Sequence, residues 1–170
     1  MAPAEDRRLE QLWAPWRLAY VAPDKDAPKD DGCFICRGLA AADDRRNLIV
    51  RRTPRSVVLL NRYPYNNGHL LAAPRAHKGG LDELDAEEML EVMEAVRRMV
   101  GVLDGLMHPD AYNVGLNLGA AAGAGLPGHL HWHVVPRWNG DTNFMPVCSD
   151  TRVIVQSLDA LFDLLAGRLR

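Results

Sequence analysis

The chain has 170 residues, 48% hydrophobic and 25% charged, with a formal net charge of -2. That length is one domain of ordinary size with enough chain to bury a core, and the composition is that of a globular protein. The charge argues against a nucleic-acid coat or a membrane-surface protein, both of which favour a basic excess.

Asp6 to Leu12 reads as a short helical stretch and leads into the arm Leu12-Trp13-Ala14-Pro15-Trp16-Arg17-Leu18-Ala19-Tyr20-Val21. Pro15 forbids a continuous helix there. Aromatics beside arginine suit either packing over the chain's own core or reaching a partner subunit. The charged start, Met1 to Glu10, lacks the apolar centre of a secretory signal. No run of about 18 apolar residues follows anywhere, so no transmembrane helix is expected. The cytoplasm is the expected location, and three cysteines are too few for a disulfide framework.

Pro23 to Gly32, rich in Pro, Asp and Lys, reads as an exposed linker. It delivers Cys33-Phe34-Ile35-Cys36 and a short helical stretch, Arg37 to Ala42. Two thiolates at this spacing can bind one zinc ion, each at about 2.3 Å, provided two more ligands are found. A redox pair is the rival, but it normally opens a helix after a strand in a βαβ setting, which is absent here. Cys148 reads as an ordinary small residue.

Asn47 to Arg52 and Ser56 to Leu60 read as two strands separated by Thr53-Pro54. Asn61 to Gly68, with Asn66-Asn67-Gly68, is a turn of the type that joins antiparallel strands. His69 to Ala73 is a third strand, closed by Pro74 and followed by Arg75, Ala76 and His77. Leu81 to Leu103 repeats apolar residues every 3.6 positions and carries Asp82, Glu83 and Asp85 at its start, where a helix dipole favours them. Its methionines belong to the core.

After the loop His108-Pro109-Asp110, a fourth strand alternates Tyr112, Val114, Leu116 and Leu118 with Asn113, Gly115 and Asn117. The uncharged Gly/Ala loop Gly119 to Gly128 runs into a fifth strand, then a loop Trp138 to Asn143 and a helical stretch Val155 to Leu169. The expectation is an α+β fold with a mainly antiparallel five-stranded sheet, one long helix and a C-terminal helical extension. It forms a single domain over residues 1–170: arm and linker 1–32, core 33–137, extension 138–170.

The fifth strand carries the chemistry. In Gly128-His129-Leu130-His131-Trp132-His133-Val134-Val135-Pro136-Arg137 three histidines alternate with apolar residues, so on a strand their imidazoles share one face about 6.6 Å apart. One such histidine is most often a satisfied core or surface residue. Three on a face are costly, because buried imidazoles need partners and charged neighbours repel. A neutral imidazole whose second nitrogen is held by a hydrogen bond can act as nucleophile or base near pH 7. The small residues before it let backbone N–H groups approach a ligand and cradle an anion, against the plainer reading of a flexible surface loop. Phosphoryl or nucleotidyl transfer needs such a nucleophile with donors for the developing charge, and no Walker-type lysine loop exists.

His129-Leu130-His131-Trp132-His133-Val134-Val135 resembles the HφHφHφφ motif (φ apolar) of the histidine triad family. Leu60-Asn61-Arg62-Tyr63-Pro64, Gly68-His69-Leu70-Leu71, Pro74-Arg75-Ala76-His77 and Val114 to Gly119 are similar to that family's preceding strands and turns. The Leu-Trp-Ala-Pro-Trp-Arg arm, the Ala-Gly-Ala-Gly loop and the segment Pro136 to Pro146 resemble bacterial members that act as diadenosine tetraphosphate phosphorylases or hydrolases. The resemblance implies a histidine-triad-like fold in which His131 attacks the α-phosphate of an adenosine polyphosphate and forms a nucleotidyl-histidine. It implies that His133 contacts the phosphate or the bridging oxygen and that Asn117 contacts the reacting phosphate. Asn61 would bind ribose, Leu60 would flank the base, and Gly125 and Leu126 would belong to the phosphate loop. Phosphate as second acceptor, releasing ADP, is expected slightly ahead of water, releasing AMP.

The resemblance further implies a structural zinc site made of Cys33, Cys36, His77 and His129, and a homodimer, which the aromatic arm could extend to a tetramer. His69 is expected to be a structural hydrogen-bonding residue and His108 an exposed one. Three alternatives stay open: a phosphoramidate or AMP-ester hydrolase of the same family, a metal hydrolase in which all three triad histidines bind one ion, and a nucleotide-binding module without catalysis.

Overall fold

The computed structural model describes residues 32–141 and 156–169. The aromatic arm, nearly all of the linker, and residues 142–155 of the C-terminal extension, Cys148 among them, lie outside them. The described residues all fall within one compact unit.

Five strands form the sheet: β1 (Ile49–Arg52), β2 (Ser56–Leu60), β3 (Leu70–Pro74), β4 (Ala111–Leu116) and β5 (Trp132–Arg137). Their spatial order is β1-β2-β3-β5-β4, and every neighbouring pair is antiparallel. Among the described residues three α-helices accompany them: α1 (Phe34–Ala40), α2 (Ala86–Met107) and α3 (Leu158–Leu169). The expected α+β architecture is the one observed.

Because successive strand side chains point to opposite faces, the sheet sorts its residues into two layers. One face places Val58, Leu60, Leu70, Ala72, Trp132 and Val134 beneath α2, which contributes Val92, Val96, Met99 and Leu103, and α3, which contributes Leu161, Phe162 and Leu165. The other face presents Ile49, Val57, Leu59, Leu71 and Ala73, with Ile35 of α1 packed on them. Cross-strand pairing lines up Leu59, Leu71, His133 and Gly115 in one row of that second face. The triad therefore opens away from the long helix.

A register shift in β1 between Ile49 and Arg51 brings Arg52 opposite Val57, on the face that α1 covers. There its guanidinium donates to Gly38 O, Leu39 O and Ala41 O and pairs with Asp44. The last carbonyls of a helix have no partner within it, so an extra residue in a strand has aimed the side chain that anchors α1.

The long helix begins later than the periodicity predicts and ends later. Leu81–Glu83 form one 3₁₀ turn, and α2 starts after Asp85, whose carboxylate accepts Glu88 N–H at 2.7 Å while the Glu88 carboxylate accepts Asp85 N–H at 3.0 Å. This reciprocal cap fixes the start better than the apolar repeat does. At the far end His108 adopts φ +46°, in the left-handed region, immediately before Pro109, which cannot continue a helix. Gly68, at φ +78° on the way into β3, has no room for a side chain: a Cβ would lie 3.0 Å from Pro136 Cγ and 3.1 Å from Met107 Sδ.

β5 starts at Trp132, three residues after the first histidine of the motif. Upstream of it Leu130 N–H donates to Lys78 O and His129 N–H to Leu126 O, so the chain there is bonded to the β3–α2 connection and to the Gly/Ala loop rather than to a neighbouring strand. β4 likewise stops at Leu116, two residues short of the alternating pattern.

Candidate active site and metal centre

The two halves of the metal-type group come from opposite ends of the core. Cys33 caps α1, its Sγ accepting Cys36 N–H at 3.4 Å, so the helix start holds both sulfurs on one side. His77 follows β3 and His129 precedes β5. Ligand atoms of all four lie within 4.8 Å of one another. Cys33 Sγ is 3.1 Å and Cys36 Sγ 3.5 Å from His129 Nδ1, and Cys36 Sγ is 3.3 Å from His77 Nδ1. A tetrahedral ion with zinc-like bond lengths needs S···N separations of about 3.5 Å, so the group fits one.

The proton positions agree. His129 Nε2 is 2.8 Å from Pro74 O, and a carbonyl only accepts, so Nε2 carries the proton and Nδ1 turns a lone pair toward the sulfurs. His129 is fully buried, and burial lowers its pKa, partly offset by that bond to Pro74. Among the protein groups alone, burial first and then Cys33 push the Cys36 thiol up to about 11. A cation at this point reverses that preference, since metal binding deprotonates its thiols.

His131, next on the strand, is 7% exposed. Its Nδ1 is 2.8 Å from His129 O and donates to it, which leaves Nε2 as the unprotonated nitrogen. His133 Nδ1 lies 2.9 Å from His69 Nε2, and the His131 and His133 rings meet edge-on with centroids 5.1 Å apart. The three histidines thus spend a nitrogen on three different partners. Among the described residues the metal-type group includes only His129 of the three, which weighs against a single ion bound by all of them.

The Gly/Ala loop turns through two left-sided glycines, Gly119 at φ +77° and Gly123 at φ +86°, with one 3₁₀ turn at Ala120–Ala122 between them. Three of its amides, Ala122, Gly123 and Ala124, donate to loop carbonyls. Asn117 donates to Gly123 O at 3.5 Å, bracing the loop from the end of β4. Gly125 is exposed on the loop, whereas Leu126 is half-buried against the core layer of Ile35, beside Cys33 and Leu39.

Asn61 sits where β2 leaves the sheet. Its N–H donates to His69 O, its Oδ1 accepts Tyr63 N–H at 2.9 Å, and its amide nitrogen lies 3.3 Å from His69 Nδ1. Leu60 is 1% exposed on the α2 side of the sheet, the face opposite His133. The pleat reverses each residue, so the leucine that shares the triad's face is Leu59. Counting back two residues from Asn61 along the strand identifies it. Leu60 lines a cavity of about 200 Å³ with Pro64, Asn67, His69, Gln156, Leu158 and Leu161, which contains none of the triad histidines. Tyr65, which the sequence does not single out, stacks on His133 with ring centroids 5.6 Å apart.

The chain is similar to known proteins over most of its length. The model of the HIT domain family matches residues 44–140. A protein of Mycobacterium tuberculosis named AP-4-A phosphorylase is 37% identical over 163 residues, covering 94% of this chain and 84% of that one. A hypothetical histidine triad nucleotide-binding protein from Sulfolobus tokodaii superposes with a TM-score of 0.63 at 22% identity, over 79% of this chain and 90% of that one. A Zn-bound histidine triad family protein from Mycobacterium smegmatis gives 0.57 at 23% identity, over 71% and 81%.

Proposed function

The chain belongs to the HIT domain family and is a nucleotide hydrolase or transferase; on that premise we propose that it cleaves dinucleoside polyphosphates of the diadenosine tetraphosphate class at the α-phosphate, through a nucleotide carried on His131. The observation that carries this reading is the His131 Nδ1–H bond to His129 O, buried with the ring. It presents an unprotonated Nε2 without the need for a separate base. Nε2 forms a bond to phosphorus as the bridging P–O bond breaks, and the electron pair stays with the departing polyphosphate. The resulting phosphoimidazolium keeps its Nδ1–H on the same carbonyl. In a second step inorganic phosphate or water attacks phosphorus, the N–P bond breaks, and ADP or AMP leaves. Phosphate is the acceptor favoured here, in keeping with the name of the mycobacterial relative. Leu59 and Asn61 are the residues that fit base and ribose, and Asn117 with the Gly/Ala loop fits the phosphates.

Cys33, Cys36, His77 and His129 fit a structural zinc ion, which would fasten α1 to the stretch leading into β5. A homodimer follows from the same reading, with β4 as the sheet edge presented to a second copy. Among the described residues no helix is long and apolar enough to cross a membrane, and the protein is proposed to work in the cytoplasm as a single domain.

The test is incubation with diadenosine tetraphosphate, with and without phosphate. ADP that appears only with phosphate supports phosphorolysis, and AMP in both reactions replaces it with hydrolysis. His131→Ala or His131→Asn is expected to lower turnover by at least about a thousandfold while nucleotide still binds. A variant with full turnover removes His131 as nucleophile.

A further inference from the structure

The Asn66-Asn67-Gly68 turn that delivers β3 is held by its neighbours. Asn66 donates through Nδ2 to Pro136 O at 3.1 Å and to Asp141 Oδ2 at 2.9 Å, and its Oδ1 accepts Asn67 N–H at 3.0 Å. Gly68 follows at φ +78°, with no room for a Cβ. These contacts hold the backbone from which the Asn67 side chain projects. Its Nδ2 donates to Gln156 Oε1 at 3.4 Å, just ahead of α3. Its Oδ1 is buried without a hydrogen-bond partner, in a residue that is 8% exposed. A buried acceptor left unpaired is costly, so such an atom asks what partner it serves.

Asn67 and Gln156 line the cavity of about 200 Å³ whose remaining walls include Leu60, Pro64, Leu158 and Leu161. We propose that this cavity binds a small, neutral aromatic molecule with a single hydrogen-bond donor, its ring against Leu60, Leu158 and Leu161 and its N–H or O–H on Asn67 Oδ1. An apolar pocket with one or a few placed polar groups is the usual form of a small-molecule site. The site is separate from the reactive row. Leu60 and Leu161 belong to the core layer with α2 and α3, whereas Leu59, Leu71 and His133 lie on the other face. The proposal therefore stands apart from the nucleotidyl-transfer reading.

Size, charge and polarity each narrow the occupant. An apolar cavity of about 150 Å³ takes up benzene, so the volume here admits a ring that also carries a donor. Among the described residues no Asp, Glu, Lys or Arg lines the cavity, and a charged guest would lie there unpaired. His69 borders it as well, but both of its ring nitrogens are engaged, Nδ1 by Tyr65 N–H and Nε2 by His133 Nδ1. A buried water needs several polar partners, and the leucine and proline walls offer none. Pro64, Gln156 and Leu158 are partly exposed, which gives a small molecule a way in.

The test is titration of the full-length protein with indole, followed through the methyl signals of its leucines. Saturable shifts centred on Leu60 and Leu161, with Leu59 and Leu71 unmoved, are expected. No saturation up to the solubility of indole, or shifts centred on Leu59 and Leu71, overturns the proposal. Benzothiophene, a ring of similar size without a donor, isolates the part played by Asn67. The preference for indole over benzothiophene is expected to fall about tenfold in Asn67→Leu, because the acceptor is gone; an unchanged preference overturns the proposal. Leu158→Trp, which extends a ring into the cavity, is expected to abolish the saturable shifts, and undiminished binding by the folded variant overturns the proposal too. Should either variant fail to fold, the leucine shifts of the wild-type protein and the other variant decide.

Discussion

His129 serves two neighbours at once, through different atoms. Its ring turns Nδ1 toward the cysteines while its carbonyl holds the Nδ1–H of His131, so the metal-type group and the tautomer of the proposed nucleophile meet in one residue. An outer partner of this kind typically matters almost as much as the reacting group, because it decides which nitrogen is free. The two leucines at the end of β2 show the same economy of position. Leu60 is sealed in the core beside α2, and Leu59 shares the face of His133. Leu60→Ala is therefore expected to cost about 2–5 kcal/mol of stability, read from denaturant unfolding, with KM for nucleotide unchanged. A large rise in KM at intact stability would return Leu60 to the base pocket.

At the scale of elements, α1 is too short to stand alone and is held at both ends. Arg52 binds its last carbonyls, and the group of Cys33, Cys36, His77 and His129 joins its start to the ends of β3 and β5. An isolated helix of this length is not stable in water, so its order comes from these attachments and from Ile35. Removal of zinc by a chelator is expected to lower the melting temperature by several degrees while the sheet and α2 persist in the far-ultraviolet spectrum. The reason is that α2 and α3 pack on the opposite face of the sheet. Unchanged melting after chelation, with metal loss verified, would sink the structural role of the ion. Sequence reading anticipated the cysteine pair and its two histidines, but it did not find Arg52. An arginine at the end of a strand has no periodicity of its own, and only the register shift in β1 reveals which face it occupies.

Among the described residues, α2 and α3 pack on one face of the sheet, and the row of Leu59, Leu71, His133 and Gly115 lies on the other. β4 bonds to β5 on one side, and Val114 is 49% exposed at this edge. An exposed strand edge with apolar side chains is suited to pairing with another chain. Light scattering is expected to give twice the chain mass, and Val114→Arg to shift the population toward monomer; a wild-type monomer at working concentration would remove the dimer.

The sequence by itself determined the strand count, the long amphipathic helix, the shared face of the three histidines and the cysteine pair, because these follow from local periodicity and from motif spacing. Asn61, Asn117, the separate roles of His131 and His133 and the two further ligand-type histidines were named from the resemblance to the histidine triad family. Tertiary structure decided what lies across the chain. It set the capping box at Asp85 ahead of the apolar repeat, moved Leu60 to the far face, and started β5 only at Trp132. It also gave the three histidines their different partners: Pro74 O and the cysteines for His129, His129 O for His131, and His69 for His133. Periodicity says which face a side chain takes. Which nitrogen carries its proton depends on a donor or acceptor brought in from elsewhere in the chain, and no local pattern encodes that.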